Sequence, residues 1–213
     1  SKKINRRKFL KHSAILPAIA TASLYVKSDE VYSQTKISRI DTPSIKTSIC
    51  AYSYRDFLSK GEWTLFNFLE MVASLGIDGV ELTSYYFPKS PIFPTDEFLY
   101  SIKKRAFLLG VDINGAACGN NFVILDKEKR KQQIEYVKSW IEISSKLGAP
   151  EMRVFGGGKF PEGCTEKDAI NWTAEALKEC SDTAGKKGVI LALENHGFPG
   201  RGEQTLEILQ KVN

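Results

Sequence analysis

Four times along this chain, a stretch with helical periodicity stops at a glycine and gives way at once to a short apolar run. The stops are Ser74-Leu75-Gly76, Leu108-Leu109-Gly110, Lys146-Leu147-Gly148 and Lys186-Lys187-Gly188. A helix that ends on a left-handed residue wants glycine there, because any Cβ crowds the following carbonyl. Repetition of this stop before each apolar run is the mark of alternating helices and strands, the pattern that builds parallel sheets. The expected strands are Thr47–Ser53, Gly79–Thr83, Val111–Ala117, Glu151–Phe155 and Val189–His196. The expected helices are Thr64–Leu75, Thr95–Leu109, Lys127–Leu147, Lys167–Lys187 and Gln204–Val212.

Side-chain alternation within these strands separates a barrel from an open sheet. In the fifth, Val189, Leu191 and Leu193 share one face, while Ile190, Ala192, Glu194 and His196 share the other. In the second, Val80 and Leu82 oppose Glu81 and Thr83; in the third, Val111 and Ile113 oppose Asp112 and Asn114. One face is aliphatic and suited to covering helices, whereas the other turns polar toward the strand ends, as the mouth of a TIM-type (β/α)8 barrel does. A doubly wound sheet, covered on both sides, would be apolar on both. About five of the eight β/α units are present, against roughly 250 residues for a closed barrel. The chain is therefore expected to be a truncated piece lacking the last three units.

The net charge of +5 raises nucleic-acid binding as a hypothesis, but the charge is local. Lys2, Lys3, Arg6, Arg7, Lys8 and Lys11 carry six positive charges with no acid among them, and taking these six from +5 leaves −1 for the remainder. No basic footprint for a phosphate backbone survives that subtraction, so no nucleic-acid partner is expected. Asn5-Arg6-Arg7-Lys8-Phe9-Leu10-Lys11 precedes an apolar run, Ser13 to Val26, that falls short of the ~20 residues needed to span a bilayer. That layout resembles a twin-arginine export signal over residues 1–26, with Ala20-Thr21-Ala22 as cleavage site and residues 27–45 as a linker to the barrel over 46–213. It implies contact with the twin-arginine export machinery, a periplasmic or secreted location and no stable membrane anchor after cleavage.

Cys50, Cys118, Cys164 and Cys180 show no CxxC spacing and are expected to be free, mostly buried thiols. Chemistry in this fold gathers at the C-terminal ends of strands. Leu193-Glu194-Asn195-His196-Gly197 is the sharpest candidate there, since Glu194 and His196 share a face and a carboxylate in that position binds a cation or removes a proton next to a carbonyl. His196 could equally be a hydrogen-bonded structural residue. Arg153 and Glu81 point to the same face, either to meet a substrate oxygen or, as the favoured role for Arg153, to form a structural ion pair with each other. Tyr52, Tyr54, Tyr85, Tyr86 and Phe122 follow strand ends, where they could stack on a sugar ring or cover the mouth. Gly156-Gly157-Gly158 lacks dinucleotide spacing and reads as a flexible loop in preference to a phosphate cradle.

Gly76-Ile77-Asp78-Gly79-Val80-Glu81-Leu82, Arg153-Val154-Phe155-Gly156-Gly157 and Leu193-Glu194-Asn195-His196, in that order and spacing, resemble the sugar-phosphate isomerase/epimerase superfamily. These are the xylose isomerase-like TIM barrels, also grouped as AP endonuclease family 2. The resemblance covers nearly all of residues 46–213. It implies a metal-dependent isomerase or epimerase acting on a keto-sugar or sugar derivative by proton abstraction next to a carbonyl, through an enediolate. Glu194 would then be both the acid-base residue and a ligand of the divalent metal, manganese first and cobalt, magnesium or zinc as alternatives. Tyr52, Glu81, Arg153 and His196 would bind the small carbohydrate substrate, and the chain could form a homo-oligomer. The alternatives are a non-catalytic or vestigial carbohydrate-binding barrel and an endonuclease-IV-like phosphodiesterase. The latter is opposed by the residual charge and by the lack of histidine in the second to fourth strands.

Overall fold

The computed structural model describes residues 45–88 and 93–212. The export-signal and most of the linker reading therefore lie outside the described residues, whose helices include none long and apolar enough to cross a membrane. The elements are β1 (Ser48–Cys50), α1 (Arg55–Ser59), α2 (Leu65–Ser74), β2 (Gly79–Thr83), α3 (Asp96–Leu109), β3 (Asp112–Ala117), α4 (Lys127–Leu147), β4 (Glu151–Phe155), α5 (Glu166–Lys187), β5 (Ile190–Glu194) and α6 (Gly202–Val212). The five strands form one parallel sheet in the order β1-β2-β3-β4-β5. Strand order equal to chain order puts every crossover helix on one face, whereas a doubly wound sheet reverses its order partway. This is a partial TIM barrel, as the alternation implies.

The helices begin and end where their sequences can satisfy the terminal backbone groups. Thr64 caps α2 through the Asn67 amide, and Asn67 returns the bond to the Thr64 amide at 2.9 Å; Thr165 and Asp168 do the same for α5. At the other ends Gly76, Gly110, Gly148 and Gly188 take φ values between +68° and +85°. All four predicted stops are therefore real.

Outward residues of the strands vanish under the helices: Val80, Leu82, Met152 and Val154 are fully buried, as are Phe68, Leu69 and Val72 of α2. Each such side chain contributes about 1.5–3 kcal/mol of transfer free energy. The inner face carries Cys50, Glu81, Arg153 and Glu194 instead, which leaves that face free for chemistry.

Three local features differ from the sequence reading. β1 is only three residues long, because the chain turns into a 3-10 segment at Ala51–Tyr54, held as Cys50 Sγ accepts from the Tyr52 amide. β5 stops at Glu194, so His196 belongs to the loop beyond it. The register of β2 on β3 slips by one residue after Val80, where Glu81 pairs with Gly115 rather than Asn114. Asn114 is the extra residue, and its Oδ1 accepts from the Ser48 hydroxyl at 2.6 Å.

Gly188 and Gly185 allow the capping argument to be tested by sign. Alanine at Gly188 (φ +68°) is expected to cost about 1–2 kcal/mol. Alanine at Gly185, inside α5 with open space where its Cβ would stand, is expected to add roughly 0.5–1 kcal/mol. Urea midpoints of the two variants should move in opposite directions, and movement in the same direction refutes the argument.

Candidate active site on the inner face

The C-terminal ends of four strands converge on a cavity of about 640 Å3 lined by Cys50, Tyr52, Glu81, Tyr85, Arg153, Phe155, Ala192, Leu193, Glu194 and His196. All five residues singled out from sequence, Tyr52, Glu81, Arg153, Glu194 and His196, share it. β1 delivers Cys50, and the turn that follows sets Tyr52 on the rim, where it is half exposed and lies under the Arg55 guanidinium at 5.3 Å. β2 delivers Glu81, which is given room by Gly115: a Cβ there would stand 3.3 Å from Glu81 Cγ. The register slip thus aims Glu81 over the one neighbouring position that has no side chain.

β4 delivers Arg153, and its partner is not the one expected. Arg153 Nε lies 2.9 Å from Glu194 Oε2, Nη1 donates to the Cys118 carbonyl at 2.8 Å, and the guanidinium carbon lies 4.0 Å from the Phe155 ring centroid. The physical reason is strand spacing. Glu194 stands on the adjacent strand about 4.8 Å away, whereas Glu81 is two strands off, at about twice that distance. Glu81 instead accepts from the Cys50 thiol at 2.9 Å, with Thr83 Oγ1 at 3.6 Å from the same sulfur. Glu194 Oε1 has no protein partner among the described residues and is the acceptor left for a ligand. Its side chain is 40% exposed, against 14% for Arg153, so the pair presents its carboxylate to the cavity and keeps its guanidinium behind.

Burial, then the Glu81 carboxylate, push the Cys50 thiol above its ordinary range, so Cys50 is a neutral donor at neutral pH. Burial also raises the Tyr85 phenol, against an opposing pull from the nearby Arg153. His196 packs its ring 5.6 Å from that of Phe155. The four cysteines are free, with Cys118 and Cys180 fully buried and both pushed up to about 12 by desolvation.

Sequence reasoning placed Cys50 only among buried thiols. Its signal was available, since it shares the alternation of Ser48 and ends a strand. Of the aromatics, Tyr52 and Tyr85 reach the cavity, whereas Phe122 is fully buried and Tyr54 stacks on Trp63 at 5.4 Å. The glycine loop is pinned rather than loose: the Gly157 and Phe198 backbones exchange hydrogen bonds at 2.8 and 2.9 Å. Among the described residues no three His, Cys, Asp or Glu side chains converge as a metal site. Two carboxylates line the cavity, Glu194 and the Glu81 that accepts from the Cys50 thiol, and these donors do not by themselves make the site that the sequence resemblance implies.

A family model described as the xylose isomerase-like TIM barrel matches residues 69–213. Among solved structures the chain is similar to D-psicose 3-epimerase from Clostridium cellulolyticum H10 with D-tagatose, at 18% identity and a TM-score of 0.63 over 79% of this chain and 60% of that one. It is similar to an L-ribulose 3-epimerase at 19% identity and a TM-score of 0.59, covering 79% of this chain and 57% of that one. It is likewise similar to the IolI protein with a bound zinc atom, at 18% identity and a TM-score of 0.64, covering 79% and 59%. The chain thus spans about 60% of the length of these structures, and at such identities the likeness establishes a shared fold. No curated protein matches the sequence significantly.

The Cys50–Glu81 contact has a measurable consequence. Glu81→Gln removes a carboxylate that holds the thiol protonated, so iodoacetamide should label Cys50 several-fold faster at pH 8 in the variant, read by peptide mass spectrometry. An unchanged rate would show that burial alone governs the thiol.

Proposed function

The chain belongs to the xylose isomerase-like TIM barrel family, and from that premise we propose that it serves a sugar isomerase or epimerase activity on a keto-sugar or a sugar derivative. The single observation that carries this reading is the convergence of Glu194, Arg153, Glu81, Tyr52 and His196 on one cavity at the strand ends. The names of similar structures, D-psicose 3-epimerase and L-ribulose 3-epimerase, support the same class.

In this reading Glu194 removes the proton on the carbon next to the substrate carbonyl and, in an isomerisation, returns it to the neighbouring carbon on the same face; in an epimerisation the proton on the opposite face comes from a second acid facing Glu194 across the substrate. Its Oε2 is fixed by Arg153, which leaves Oε1 to meet the substrate. Negative charge then grows on the carbonyl oxygen as an enediolate forms. The Arg153 guanidinium, held from behind by the Cys118 carbonyl, supplies fixed positive potential to that region without having to reorganise. Cys50, kept neutral by its surroundings, and Tyr52 at the rim offer hydroxyl and thiol contacts to the sugar; His196 and Phe155 offer an aromatic wall.

Metal dependence, with manganese ahead of cobalt, magnesium or zinc, belongs to the same proposal and is supported by the zinc of the IolI structure. Glu194 would hold such an ion, with Glu81 as the second carboxylate of the cavity. The basic, then apolar amino-terminal stretch supports export through the twin-arginine route to the periplasm or beyond.

Glu194→Gln tests the chemistry. In the full-length protein, exchange of solvent deuterium into D-fructose or D-psicose, followed by NMR, is expected to fall by about 10²–10⁴-fold. Undiminished exchange removes Glu194 from the mechanism.

A further inference from the structure

A second cavity of about 560 Å3 adjoins the first, and Tyr85, Phe155 and His196 line both. Each cavity alone falls within the about 300–1,000 Å3 that encloses a small ligand. The second runs outward over the loops after β3 and β4, past Gly119, Asn121, Gly158 and Lys159. We infer that it is a subsite for a second glycosyl unit, so that the substrate class is a keto-sugar bearing a glycosyl substituent; this rests on the proposed function of the first cavity.

The lining has the chemistry for a neutral ring rich in hydroxyl oxygens. Tyr85, Phe155 and His196 offer aromatic surface to the apolar face of a sugar. The free polar groups are donors: the Lys159 ammonium has no partner among the described residues, and Asn121 spends its Oδ1 on the Val123 amide, which leaves its Nδ2. No carboxylate lines this cavity to compete for them.

Its shape is built from missing side chains. A Cβ on Gly119 would stand 2.3 Å from Tyr85, and one on Gly157 would stand 2.6 Å from Val123, so both loops lie closer to their neighbours than any other residue permits. These close approaches fix where the walls stand, and the antiparallel bridge between Gly157 and Phe198 keeps the outer loop in place. Gly158 differs, having open space where its Cβ would go and no left-handed backbone. A large side chain can therefore be placed there, at the wall of the second cavity and away from the lining of the first.

Calorimetric titration of the full chain with D-fructose and with lactulose, the same ketose carrying a galactosyl group, reads the inference directly. Lactulose is expected to bind about tenfold more tightly than D-fructose, and Gly158→Phe to abolish that advantage while leaving D-fructose affinity unchanged. Lys159→Met should reduce the advantage in part. Equal affinity for the two sugars, or Gly158→Phe weakening both alike, overturns the subsite. Should neither sugar exchange deuterium while lactulose keeps its advantage, the proton-abstraction reading fails and the subsite stands.

Discussion

Each strand of this sheet lies beside the strand that follows it in sequence, and that constraint governs everything else. Consecutive parallel neighbours require every connecting helix to cross on the same side. The outer face must then be aliphatic, as Val80, Leu82, Met152 and Val154 are, and the inner face receives no helix at all. Polar groups placed there need not be matched by a covering layer. Each can be held by its neighbours along the sheet and still meet solvent or a ligand.

The inner face uses that freedom by pairing groups across adjacent strands. Arg153 of β4 meets Glu194 of β5, and Cys50 of β1 meets Glu81 of β2. β3, between the two pairs, contributes only Gly115 and Ala117 at the same level. The two carboxylates are thereby kept apart and given different company, one a cation and the other a neutral thiol. An ion pair at 2.9 Å holds Glu194 beside the guanidinium, while Glu81 accepts from a weaker neutral donor. Two acids in one pocket are distinguished by their neighbours rather than by their own chemistry, and the ion-paired one leaves an oxygen free toward the cavity.

The parts of this arrangement written in local sequence were legible there. Period-two alternation identified the inner face, and the glycine stops identified where each strand begins, so Glu81, Arg153, Glu194 and His196 could be named as neighbours before any contact was known. The register slip at Val80 was not legible, because a bulge depends on how two distant segments pair, and no residue near Asn114 announces it. The partner of Arg153 was misjudged for the same reason: choosing between two inward carboxylates requires knowing which strand lies adjacent. Gly156-Gly157-Gly158 looked flexible because glycine runs usually are, yet the first two are small so that Phe198 and Val123 can come close. Glycine marks both freedom and close approach, and the sequence alone does not say which applies.

The same distinction bears on how the cavity acquires its shape. Where Gly115 leaves a gap, Glu81 fills it; where Gly119 and Gly157 leave gaps, Tyr85 and Val123 fill them. Of the glycines that line the second cavity, Gly158 alone leaves a gap that no neighbour occupies. A packed interior leaves few such voids, and those large enough for a ligand are generally open to solvent at the rim of a site. Three glycines that admit neighbours and one that admits none are therefore parts of a single arrangement. The first three bring the walls to their positions, and the fourth keeps the space between them open beside the reacting end of the sheet.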